Sequence, residues 1–141
     1  MAPDLLGPLK ATRGCLGVEA ARTMSGQSVI FAWFEDKEAV LRWYYSEAHQ
    51  SAQDLFFPDS NRGGHKPLEG IPADIGPIMV VVSITPANRS NFEATNLPVS
   101  QIAIELYKPI TGGLYLGGRF APESLKVKGM HDHTPKTDAP R

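Results

Sequence analysis

The chain has 141 residues, 42% of them hydrophobic and 21% charged, with 14 Lys+Arg against 15 Asp+Glu and a formal charge of −1. That composition describes one globular domain with its own core, and the near-balanced charge leaves no electrostatic footprint for nucleic acid or an anionic membrane. No apolar run approaches the roughly 20 residues of a membrane helix, the opening residues lack the basic start of a secretory signal, and the single cysteine, Cys15, excludes an internal disulfide framework or a multi-cysteine zinc site. A cytoplasmic protein without nucleic-acid or membrane partners is expected.

Pro8-Leu9-Lys10-Ala11 allows a short helix or arm that Arg13-Gly14 stops. Residues 15–23 alternate as a strand of weak propensity, and Ser25-Gly26-Gln27 is a hairpin turn. Residues 28–34, Ser-Val-Ile-Phe-Ala-Trp-Phe, are β-branched and aromatic, the clearest strand of the first half. A helix from about Asp36 to Phe56 follows, capped by Glu35 or Asp36, whose carboxylate accepts from free amide groups at the positive end of the helix. Its apolar arc, Val40, Trp43, Tyr44, Ala48 and Leu55, packs on a sheet, while Glu38, Arg42, Tyr45 and His49 form a neighbouring stripe facing solvent, a cleft edge or a partner.

Residues 57–77 hold Pro58, Gly63, Gly64, Pro67, Gly70, Pro72, Gly76 and Pro77 and read as a long irregular loop, a lid or a plain surface excursion. Ile78–Thr85 is almost wholly apolar, as a strand covered on both faces would be. Residues 86–98 are a polar connection with a short helical turn at 90–94. Val99–Tyr107 alternates as a strand, Pro109–Gly113 is a turn, and Leu114–Phe120 is a last strand weakened by Gly117 and Gly118. The domain then spans residues 1–128, with 129–141 a flexible tail. Strands in antiparallel runs beside one dominant helix give an α+β domain. A second copy of the same sheet is the economical cover for the free sheet face.

Gly14, Cys15, Trp33, Phe34, Glu35, Asp36, Glu38, Ala39, Trp43, Ser46 and His49 carry a pattern. It comprises a Gly-Cys strand entry, an aromatic strand end, Glu-Asp-x-Glu-Ala opening a helix, and Trp-x-x-Ser-x-x-His along it. Over residues 13–57 the chain resembles the antibiotic-biosynthesis-monooxygenase-like proteins of the dimeric α+β barrel superfamily. The resemblance implies a ferredoxin-like antiparallel sheet with helices on one face, assembled as a homodimer. It also implies a cofactor-independent oxygenase of an aromatic or quinol-type compound, with neither metal nor cofactor; haem-degrading relatives keep haem open as an alternative. Family members begin with a strand before the first helix. In this chain either a later strand fills that slot or the sheet is incomplete.

In the oxygenase reading His49 is the base, because an imidazole titrates near neutrality and can take a phenol or quinol proton. Arg42 stabilises the developing oxyanion, and Trp33, Trp43 and Tyr45 wall an apolar pocket for a flat substrate. Each has a plainer role. His49 can be a solvated or interface residue, the tryptophans can be core, and Arg42 can pair with Glu38 one helical turn away. His131 and His133 make at most a two-ligand metal site. Two other functions stay open, a non-catalytic small-molecule-binding or stress-related dimer, and an interaction domain that binds through the helix stripe.

Overall fold

Ser28–Phe34 is the strand on which the domain is organised. Alternation sends Ile30, Ala32 and Phe34 to one face and Val29, Phe31 and Trp33 to the other, and all but Phe31 are buried. The computed structural model describes residues 5–56, 66–87 and 99–136. In chain order the elements are α1 (Leu6–Ala11), β1 (Cys15–Arg22), β2 (Ser28–Phe34), α2 (Lys37–Tyr44), α3 (Glu47–Phe56), β3 (Ile78–Pro86), β4 (Val99–Tyr107), β5 (Leu114–Tyr115) and β6 (His131–Asp132).

The first four strands form one antiparallel sheet in the order β1-β2-β3-β4. The expected α+β class is present, and later strands bring the sheet to four. Each pairing joins strands that are neighbours in sequence. Register sets Val18, Ala32, Val80 and Leu106 across one face, and Gly17, Trp33, Met79 and Tyr107 across the other. Helices cover the first face. Its core is Leu9, Ile30, Ala32, Phe34, Ala39, Val40, Trp43, Ile78, Val80 and Val82, with Leu68 and Ile75 packed at its margin.

The expected long helix is two helices. Asp36 caps α2, its carboxylate accepting from the Ala39 N–H at 2.8 Å. At the break, the Ser46 hydroxyl donates to the Trp43 carbonyl at 2.7 Å and accepts the His49 N–H at 3.2 Å. A serine that bonds locally to backbone competes with helix continuation. Hydrophobic periodicity runs across positions 45–46 without registering that competition.

The Gly/Pro-rich segment is described from Lys66. It runs through successive turns, with Glu69 N–H to Lys66 O at 3.2 Å, Ile71 N–H to Leu68 O at 3.0 Å and Ile75 N–H to Pro72 O at 3.2 Å. Lys37 Nζ tethers it to the helix layer through the Ile71 carbonyl at 2.6 Å. The rest of that loop, and the helical turn expected at 90–94, lie outside the described residues.

The C-terminal part differs most from expectation. The last strand is only Leu114–Tyr115, because Gly117 and Gly118 take φ of 83° and 155°. Its partner is His131–Asp132, paired in parallel, so the first residues of the expected tail fold back onto the domain. Between them, residues 119–125 lie on the sheet face away from the helices. Phe120 sets its edge against Phe31 and Trp33, with both centroid distances 5.1 Å. Pro122 fills the space above Gly17, where a Cβ would come within 2.5 Å of Pro122 Cγ. The Arg119 guanidinium donates to the carbonyls of Pro122, Glu123 and Leu125 and so holds the segment curled, with Leu125 1% exposed at its end.

Candidate functional site

The α2–α3 junction gathers aromatic side chains around a histidine. Asp36 starts α2 in a register that puts Val40 and Trp43 on the sheet, and Trp43 meets Phe34 at 6.0 Å. The Ser46 cap starts α3 three residues before His49, turning that imidazole back towards the end of α2. The His49 ring lies 4.3 Å from Trp43 and 5.0 Å from Tyr44, centroid to centroid. Trp43, 7% exposed, therefore serves both the core and one wall of this cluster. The Tyr44 carbonyl accepts from Gln50 Nε2 at 2.6 Å, which fixes the junction further.

Gln53 lies one turn beyond His49 at i, i+4, on the same helix face. Its Oε1 is buried and has no hydrogen-bond partner. A buried acceptor left unpaired costs roughly 1–3 kcal/mol, and a hydroxyl or N–H donor would remove that cost. Sequence reasoning passed over Gln53: its spacing from His49 is legible, but its orphaned acceptor is not.

The other expected site residues divide. Tyr45, 59% exposed, sets its ring edge-on to Tyr44 at 5.0 Å. Trp33 is on the opposite face of the sheet from Trp43, stacked on Phe31 at 6.2 Å and closed by Phe120. The two tryptophans do not wall one pocket, because alternation separates Trp33 from Phe34 and Ala32, which face the helices. Arg42 donates from Nη1 to the Arg13 carbonyl at 2.9 Å and approaches Glu38 at 3.8 Å. Its guanidinium ties the entry of β1 to α2.

Elsewhere, Asp132 is held below the usual carboxylate range by hydrogen bonds from the Thr134 hydroxyl and backbone. His131 and His133 have ring centroids 6.1 Å apart. Among the described residues no group of three or more His, Cys, Asp or Glu side chains converges as metal ligands, and no helix is long and apolar enough to cross a membrane. Burial lifts the Cys15 thiol above its ordinary pKa, outweighing the opposing hydrogen bond with the Gly17 backbone. No protein-family model, curated protein or solved structure matches this chain.

Proposed function

We propose that the chain binds a flat aromatic or quinol-type small molecule at the α2–α3 junction and works as a homodimer of the dimeric α+β barrel kind. The observation that carries this is His49 packed at a tilt against Trp43 and Tyr44, with the Gln53 Oε1, unpaired among the described residues, one turn away. Aromatic faces suit a planar ring. The orphan acceptor suits a phenolic O–H. The dimer reading draws on the sheet face away from the helices, where Tyr107 and Phe120 are 47% and 60% exposed.

Oxygen-dependent turnover is the second reading, favoured by the imidazole in the same cluster. His49 would take the acidic proton of an anthrone or quinol. The resulting anion would pass one electron to dioxygen, the two radicals would join in a C–O bond, the peroxide anion would take the proton back from His49, and the hydroperoxide would lose water to leave a carbonyl. One oxygen atom enters the substrate, the other leaves as water, and dioxygen is the sole oxidant. In this scheme Arg42 and Trp33 have no part.

Oxygen uptake with a panel of anthrones and hydroquinones, in the presence of chelator, separates the readings. Turnover in the wild type and in Arg42→Gln, lost in a folded His49→Ala, supports the oxygenase. Ligand-induced stabilisation without oxygen uptake supports binding alone. Neither effect across the panel refutes the aromatic-ligand proposal, and a monomer mass by light scattering refutes the dimer.

A further inference from the structure

A concave surface lies at the other end of the helix-covered face. Leu5 and Leu6, at the start of α1, stand over the end of the β1–β2 hairpin and line an open, shallow groove of about 490 Å³ with Ala20, Arg22, Ser28 and Ile30. That volume is within the roughly 300–1,000 Å³ usual for small-molecule sites. The walls are aliphatic, with no aromatic ring to stack a planar ligand, which separates this groove chemically from the His49 cluster.

The polar groups are few and sit together. Register pairs Arg22 directly with Ser28, so guanidinium and hydroxyl share one end of the groove. The hairpin holds them there. Thr23 N–H bonds the Gln27 carbonyl at 2.9 Å, the Thr23 hydroxyl accepts from the Gln27 N–H at 3.0 Å, and Gly26 turns the chain at φ 93°. Among the described residues Arg22 makes one long bond, from Nη1 to the Gly26 carbonyl at 3.4 Å. Among the described residues no carboxylate lies within salt-bridge distance of it, and the single ion pair found is Arg42–Glu38. A guanidinium offers five donors in a planar fork that matches a carboxylate.

We propose that this groove binds an amphipathic monocarboxylate, an aliphatic chain ending in a carboxylate. The carboxylate sits on Arg22 and Ser28, and the hydrocarbon lies along Leu5, Leu6, Ala20 and Ile30. A single cation calls for a monoanion, and the apolar walls call for a flexible alkyl chain more than a sugar or nucleotide.

The test is a backbone-amide NMR titration of the full chain with decanoate below its micelle concentration, and with decanol as the uncharged control. The expected result is saturable shifts confined to residues 5–6, 20–22 and 28–30, with decanoate binding tighter. Arg22→Gln weakens decanoate by about three- to tenfold, the range of one solvent-accessible charge-assisted contact, and leaves decanol unchanged. Ala20→Trp, which fills an exposed position of the wall, removes both. Three outcomes overturn the proposal. They are absence of shifts in the full chain, shifts scattered over other apolar surface, and equal affinity for decanoate and decanol. A spectrum otherwise like wild type establishes that each variant is folded.

Discussion

Gly14 and Gly26 provide an internally controlled test of how β1 is seated on α2. Their backbones are nearly alike, with φ of 92° and 93°, so alanine meets the same left-handed penalty at both, about 1–2 kcal/mol. Their surroundings differ. A Cβ at Gly14 would stand 2.5 Å from Ala39 Cβ and 3.2 Å from both Arg42 Nη1 and Glu35 Oε1, whereas one at Gly26 meets nothing within 4 Å. Ala39 is fully buried in the core, so it cannot yield, and overpacking of this kind costs roughly 1–3 kcal/mol. The Gly14 carbonyl also accepts the Glu35 N–H at 2.8 Å, so a backbone shift that relieved the clash would strain the start of α2. Gly14→Ala is therefore expected to lose about 2–5 kcal/mol and Gly26→Ala about 1–2 kcal/mol, read from urea unfolding followed by circular dichroism. Equal losses at the two positions would refute the close approach of β1 and α2.

Ser46→Ala removes the cap of α3 and is expected to cost about 1 kcal/mol in urea unfolding; an unchanged midpoint would mean that the helix break does not depend on the hydroxyl. Arg119→Ala releases the curled 119–125 segment, so Trp33, observed in a Trp43→Phe background, should shift its emission to the red as Phe120 leaves it; an unshifted spectrum would show another anchor holding the segment. Because burial raises the Cys15 thiol, iodoacetamide at mildly alkaline pH should react more slowly with native protein than with protein in urea. By linkage the same shift leaves stability intact below the ordinary thiol range and lowers it as pH rises through that range, since the unfolded thiol loses its proton first. Equal alkylation rates in the two states would contradict the burial.

Local chemistry made the central elements legible. The β-branched and aromatic run of β2 and the apolar run of β3 each state one conformation and form strands at their expected places, and of the two carboxylates offered as the cap, Glu35 or Asp36, Asp36 is the one that serves. The break at Ser46 was hidden because apolar spacing continues through it, while the hydroxyl's local bonds decide the backbone. The separation of Trp33 from Trp43 follows from strand parity, which is readable in sequence once Ala32 and Phe34 are known to face the helices. Arg119 and the short β5–β6 pair were not legible, since they depend on a cation meeting carbonyls and on a parallel pairing made across a loop. At the candidate site, His49 and Trp43 were identified from residue type and spacing. Gln53 was missed because an unpaired acceptor is recognisable only once burial is known.

The central claim is that His49, Trp43, Tyr44 and Gln53 receive a planar hydroxylated ring. The most direct measurement is an anaerobic titration with a hydroquinone or anthrone, following the His49 imidazole carbon-bound proton by NMR and using His49→Ala to assign it. A saturable ring-current shift of that resonance, weakened in Gln53→Leu, is the predicted result. An unmoved His49 resonance throughout the titration would contradict the account.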